Sequence, residues 1–379
     1  MTAPLGLDIT LPTAALAARL GELVRLLPGR LTDPVLGGVV VVATPAGVRV
    51  ASSDHERGFQ ADLDGLVGSE GSVLVPARPL AETLRSLSDP EVRLVVEGSR
   101  LAVRAGRARF ALPLMDLAAH PGVAPAPPHR LSVPSAALRG PLAVVAAAAS
   151  RDDALPVFTG VRISTAGGVL ALLASDRFRL AKAEIPLPAA RHDAAGLDVL
   201  VPAALLAELA RQLPRSGEVT LRADADRFAL SWEGTLVTTA VLATPFPNSD
   251  RLFPSDVDSV LRVDADALSA AVRRAATFGG GRGLLTLVAE DGGVRVLGSD
   301  PAVGESEETV KADVTGNRSS RTYQARHLVD ALRGFVGRVV ELRVPAHERR
   351  GAVLTAEPDR DGVRVTHLVA PTRPPAPRD

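Results

Sequence analysis

One passage of this chain recurs three times, at a spacing of about 120 to 125 residues. It is clearest in VLVPARPLAETLRSL from Val73, VLVPAALLAELARQL from Val199 and RTYQARHLVDALRGF from Arg321, where Arg85, Arg211 and Arg333 share one position. An earlier stretch repeats too. Leu16, Leu138 and Leu268 open an apolar helical stripe, and Asp54, Asp176 and Asp300 end a strand in the contexts ASSD, LASD and LGSD. The period is far longer than the roughly 20 to 50 residues of solenoid and propeller repeats, so each copy can close a core of its own. Three tandem domains are expected, 1–127, 128–252 and 253–379, and a length of 379 residues accommodates them.

Each copy opens with a short alternating segment and a helix. LDITLP alternates as a half-buried strand does, and Leu16, Leu20, Leu23, Val24 and Leu27 then fall at helical spacing, ended by Pro28 and Gly29. Hairpins follow in VLGGVVVVATPAGVRVASSD, VFTGVRISTAGGVLALLASD and LLTLVAEDGGVRVLGSD, each two strands around a Gly-containing turn. A second helix comes next, striped in the first copy by Leu80, Leu84 and Leu87, and further strands close the unit. The fold class is therefore α+β, with two helices and about eight strands of antiparallel sheet per copy. PGVAPAPPHR from Pro121 and TPFPNSDRLFPSD from Thr244 read as Pro-rich joints, and PTRPPAPRD from Pro371 as an extended end.

Composition narrows the function. Hydrophobic residues make up 46% and aromatics 3%, so Leu, Val and Ala must fill the cores. The absence of cysteine excludes disulfides, thiolate metal sites and a catalytic thiol. The first twenty residues have no basic segment followed by a continuous apolar core, and no apolar run approaches the ~20 residues of a membrane span, so a cytoplasmic protein without a membrane partner is expected. Basic and acidic residues balance at 43 each, and local placement must decide whether nucleic acid is a partner. The seven histidines are scattered singly, with no HExxH or G-x-S-x-G. FGGGRG from Phe278 is followed by neither Lys-Ser nor a helix pattern, which argues against a phosphate loop. No enzyme, metal site or cofactor is expected.

The order and spacing of these repeats, together with SRDDALPVFTGVRI from Ser150, ASDRFRLA from Ala174 and FPNSDRLFP from Phe246, resemble the bacterial DNA polymerase III β subunit, the replicative sliding clamp. The resemblance spans essentially the whole chain and is best in the second copy. It implies a head-to-tail dimeric ring, helices inside and sheet outside, encircling duplex DNA without regard to sequence. Arg85, Arg211 and Arg333 would then form a symmetric basic circle, with Arg19, Arg25, Arg273 and Arg274 on the other helices. Taken singly, an arginine on an amphipathic helix is ordinarily its solvated face; recurrence in three copies is what favours a lumen. Arg30, Arg151 and Arg282 lie in helix-to-strand loops that the resemblance assigns to DNA.

The resemblance also implies a pocket for short linear peptides from DNA polymerase III, the clamp loader and other replication and repair proteins. Matched residue by residue, it comprises Phe158, Ser175, Arg177, Phe178, Arg179 and Leu180, then Pro247, Arg251 and Leu252, and finally Leu368, Val369, Ala370, Pro371, Thr372 and Arg373. Each Leu and Phe could equally be core, whereas the two arginines flanking Phe178 have no packing role evident from the sequence. Ala370 stands where the family usually has methionine, Thr372 also departs from the pattern, and Arg177 replaces a small residue. Those departures leave open a specialised second clamp whose altered pocket is insensitive to clamp inhibitors, and a clamp-like scaffold that no longer encircles DNA is a further alternative.

Overall fold

The structure, a computed structural model, describes residues 6–27, 33–188, 196–254 and 256–373. The first copy contains β1 (Asp8–Pro12), α1 (Thr13–Leu26), β2 (Gly38–Thr44), β3 (Gly47–Ser53), β4 (Arg57–Leu63), β5 (Leu66–Ser69) and β6 (Gly71–Pro76). It ends with α2 (Ala77–Arg85), β7 (Glu91–Glu97), β8 (Arg100–Ala105) and β9 (Ala108–Pro113). The second contains β10 (His129–Pro134), α3 (Ser135–Ala146), β11 (Gly160–Ala166), β12 (Val169–Ser175) and β13 (Arg179–Pro186). It continues with β14 (Asp198–Pro202), α4 (Ala203–Gln212), β15 (Glu218–Ala223), β16 (Arg227–Trp232) and β17 (Thr235–Ala240). The third contains β18 (Ser259–Asp264), α5 (Ala265–Ala276), β19 (Leu284–Glu290), β20 (Gly293–Asp300) and β21 (Gly304–Gly316). Its remaining elements are β22 (Ser320–Gln324), α6 (Ala325–Leu332), β23 (Val339–Val344), β24 (Ala352–Thr355) and β25 (Arg364–Val369).

Every helix follows a strand without a loop, and the junction residue explains why. Pro12, Pro76, Pro134 and Pro202 sit at the N-caps of α1 to α4, where a proline cannot extend the ladder and its fixed φ suits the turn into helix. At α5 the same position is Asp264, whose carboxylate accepts from the Ala267 N–H at 2.8 Å. The helices pack as pairs, α1 on α2, α3 on α4 and α5 on α6. Leu16, Leu20, Leu23 and Leu26 form the buried stripe of α1, and Leu80 and Leu84 that of α2. Each such leucine removed from water contributes about 1.5 to 3 kcal/mol.

The strands form two bodies that divide the second copy. In the first body, residues up to 132 together with 217–241, a five-stranded sheet runs β5-β1-β7-β8-β9 and an eight-stranded sheet β10-β15-β16-β17-β4-β3-β2-β6. In the second, residues 133–216 with those from 242 onward, one twelve-stranded sheet runs β14-β11-β12-β13-β25-β24-β23-β18-β21-β20-β19-β22. Strands β15 to β17 of the second copy thus extend a sheet of the first, through Thr235 opposite Ala61 to Thr239 opposite Arg57. Strands β11 to β14 join the third copy, through Arg179 opposite Val369 to Glu184 opposite Arg364. Local patterning does not reveal this sharing.

The recurring aspartates form turns at the strand ends. Asp54 accepts from the N–H groups of Glu56 and Arg57, and Asp176 from those of Phe178 and Arg179. This turn places the residue after the aspartate in the left-handed region, His55 at φ 74° and Arg177 at φ 76°. Neither is a glycine, so the backbone there is strained. The sequence offers no packing role for Arg179, but the structure does. Only 10% of its side chain is exposed; it pairs with Asp176 at 3.0 Å and Asp330 of α6 at 2.7 Å, and donates to the Ala147 carbonyl.

Two buried histidines make the second body sensitive to acid. His367 of β25 lies against Phe335, and neither of its ring nitrogens has a hydrogen-bond partner among the described residues. Burial holds its pKa down at about 3, and burial likewise lowers that of His327 in α6 to about 4. Unfolded, both titrate near 6.5, so below that pH the unfolded chain takes up protons that the folded one refuses. Stability should be complete above pH ~6.5 and fall by about 1 kcal/mol per pH unit per histidine on acidification towards pH 4. Denaturant unfolding across that range should show a shallower slope for His367→Leu. Arg177→Gly should raise stability by about 1 kcal/mol by relieving the left-handed backbone. Arg179→Ala should lower it by about 2 to 4 kcal/mol, because it strands Asp176 and takes from Asp330 one of its two arginines, and thermal unfolding checks both.

Candidate nucleic-acid interface and peptide pocket

In the first body the basic positions sit on the helix pair. Arg85, the last residue of α2, is exposed and has no ion-pair partner among the described residues, and Arg25 is exposed in the last turn of α1. Arg19 is less free than its helical position suggests, since it pairs with Glu22 at 3.0 Å and donates to the Glu233 carbonyl. Arg30 lies outside the described residues.

The second body repeats the pattern. Arg211 in the last turn of α4 is 75% exposed and pairs with Glu208 at 3.0 Å; Arg333, directly after α6, is 60% exposed and pairs with Asp330 at 2.9 Å. All three second helices therefore place an arginine at the C-terminal end, where the helix dipole favours a cation. Exposed pairs of this kind contribute only about 0 to 1 kcal/mol, so a phosphate can displace the carboxylate at little cost. Arg273 is exposed without an ion-pair partner among the described residues, whereas Arg274 makes two hydrogen bonds to Glu308, at 2.8 and 2.6 Å. Arg151 and Arg282 project from exposed loops after α3 and α5.

The pocket residues gather in the second body around one row of facing side chains. Leu180 of β13 is opposite Leu368 of β25, which is opposite Val353 of β24. With Leu173 these form a buried apolar cluster, and Phe246 and Phe253 pack on it. Phe158 meets Phe246 edge-on at 6.3 Å between ring centroids. Phe178 and Leu252 are each 52% exposed, and Pro247 and Arg251 are exposed. Phe178 stacks on His327, with the Arg177 guanidinium 5.8 Å from its ring centroid.

The C-terminal segment is held by its backbone. The Ala370 N–H donates to the Phe178 carbonyl and the Thr372 N–H to the Thr322 carbonyl, both at 2.8 Å, leaving Ala370, Pro371 and Thr372 half-buried and Arg373 exposed. Ser175 is buried, with its hydroxyl donating to the Arg179 carbonyl and accepting from the Arg177 N–H. Two of the matched positions face inward instead of toward a ligand. Val369 is fully buried, because it alternates with Leu368 to the opposite face of β25, and Arg179 is spent on its carboxylates. Leu173, Val353, Phe253 and His327 were absent from the sequence-based set. Only strand register brings them to the row, and nothing local marks them. Among the described residues, no group of three or more His, Asp or Glu side chains is placed to hold a metal ion.

Known proteins share this order of domains. Residues 7–124, 132–248 and 250–373 match, in order, the families described as the N-terminal, central and C-terminal domains of the DNA polymerase III beta subunit. The beta sliding clamp of Streptomyces coelicolor is 29% identical over 92% of this chain and 94% of its own length. That of Micrococcus luteus is 31% identical over 74% of this chain and 92% of its own. In fold, the DNA polymerase sliding clamp of Bacillus subtilis superposes with a TM-score of 0.89 at 20% identity, covering 97% of this chain and all of that one. With all three domain families matched along its length, the chain belongs to the DNA polymerase III beta subunit family, the bacterial sliding clamps.

Proposed function

We propose that two copies of this chain close head to tail around duplex DNA in the cytoplasm. Doing no chemistry of its own, the ring would tether DNA polymerase III, the clamp loader and other replication and repair proteins through short peptides. The observation that carries this reading is the exposed arginine at the end of the second helix in all three copies, Arg85, Arg211 and Arg333. Sliding needs phosphate attraction that is spread out and sequence-independent, and arginines in weak, exchangeable pairs supply it. Arg25, Arg273, Arg274 and the loop residues Arg30, Arg151 and Arg282 would add to the same surface, with Arg19 mainly bracing α1. The Leu180–Leu368–Val353 row, flanked by Phe178, Leu252 and the Ala370–Arg373 segment, would take the apolar anchors of the peptide.

Internal pairing supports ring closure. Strand β4 takes β17 along its edge and β13 takes β25, each the last strand of a copy. The equivalent stretch of the third copy, Gly304 to Thr309 of β21, is paired only with β20 among the described residues, and β9, the last strand of the first copy, only with β8. Where β3 sets Ser53 opposite Gly58, β20 sets Ser299 opposite Glu305; where β16 sets Trp232 opposite Thr235, β8 sets Ala105 opposite Ala108. Transferring the register of β17 on β4 therefore lays Arg109 of one copy opposite Glu307 of the other. Opposite charges meet at the seam.

The clamp should stay on nicked circular DNA after loading and leave once that DNA is linearised; retention that ignores DNA topology would refute encirclement. Replacing Arg85 and Arg273 by alanine should reduce the slope of log affinity against log salt by about 0.9 for each phosphate no longer neutralised. Arg109→Glu should weaken the dimer roughly tenfold, and adding Glu307→Arg in the same chain should recover it, as read by sedimentation equilibrium.

A further inference from the structure

The rim of the apolar row carries information that the row itself does not. Arg179 is opposite Val369 and Val369 is opposite Ala352, so β13, β25 and β24 end at one level. Arginines extend from each of those ends: Arg177 before β13, Arg349 before β24 and Arg373 after β25. Arg251 belongs to the same group, because its carbonyl accepts from Arg350 Nη2 at 3.4 Å. All four are exposed, and none has an ion-pair partner among the described residues. Arg177 lies over Phe178, which leaves its charge uncompensated.

The neighbouring carboxylates are already engaged. Asp176 is held by Arg179, Asp330 by Arg179 and Arg333, and Asp256 by Arg350. Glu348 is the remaining exposed carboxylate of the β23–β24 loop. Among the side chains described at these strand ends, four guanidinium groups without an ion-pair partner stand against Glu348, which gives the rim a positive field, on a chain whose basic and acidic residues balance at 43 each over its full length. Such a field steers and selects an oppositely charged partner more than it adds affinity.

We infer that the ligand of this site is an acidic peptide, with one or two aliphatic or aromatic anchors for the row and aspartate or glutamate residues beside them. The inference rests on reading the row as the peptide pocket. The anchors supply burial and the rim decides which flanks are accepted. A basic peptide with the same anchors is disfavoured by four like charges.

Fluorescence anisotropy of the full-length protein with three labelled synthetic peptides tests this, the peptides sharing a Leu-Phe anchor between Asp/Glu, Ser/Gly or Lys flanks. The acidic peptide should bind roughly tenfold tighter than the neutral one at low salt, and the difference should shrink at about 0.5 M salt. The pair Arg177→Ser and Arg349→Ser should narrow that difference to about twofold. Equal binding of acidic and neutral peptides would overturn the inference and leave the pocket standing. So would a double variant that loses DNA retention while keeping peptide selectivity. Binding of all three peptides unaffected by Leu252→Asp, or binding of none, would overturn the pocket reading itself.

Discussion

The structure depends on one interaction, the antiparallel pairing of the last strand of a copy with the edge strand of the copy before it. Strand β17 on β4 and β25 on β13 merge separate units into continuous sheets. Left alone, each of those edges would present a row of unsatisfied N–H and carbonyl groups, an invitation to aggregation. Because the bonds are main-chain bonds, the side chains along the seams are free to diverge. Gly58 and Phe59 stand in one seam where Leu180 and Ala181 stand in the other, at equivalent positions. The same freedom lets the third edge carry Glu305, Glu307 and Glu308.

Divergence on a common backbone also distinguishes the second copy, where the candidate pocket lies. Asp54 and Asp176 fold the same turn with the same left-handed residue after it. In the second copy the turn is additionally fastened to α6 by Arg179 and Asp330, which brings Phe178 onto His327. The turn hydrogen bonds and the stack on His327 fix where Arg177 and Phe178 leave the backbone.

Much of this could be read from the residues. Leucine spacing located the helices, the Gly-containing turns located the hairpins, and the repeated aspartates and arginines marked equivalent positions. These are local signals. What escaped was non-local: Arg179 looked idle because its partner Asp330 is distant in sequence, and Val369 looked accessible because facing in a strand depends on register. Val353 joined the row only through its place opposite Leu368. Pairing partners far apart along the chain carry no local signature, and the division of the second copy between two bodies was invisible for the same reason.

That division has a consequence for synthesis. The first body is not a continuous stretch of chain; it needs residues 217–241 to complete the sheet that begins in the first copy. As the protein emerges from the ribosome, β4 is therefore made long before β17 can cover it. For as long as the intervening residues take to be translated, at roughly 5 to 20 residues per second, the nascent first copy waits with one sheet edge bare.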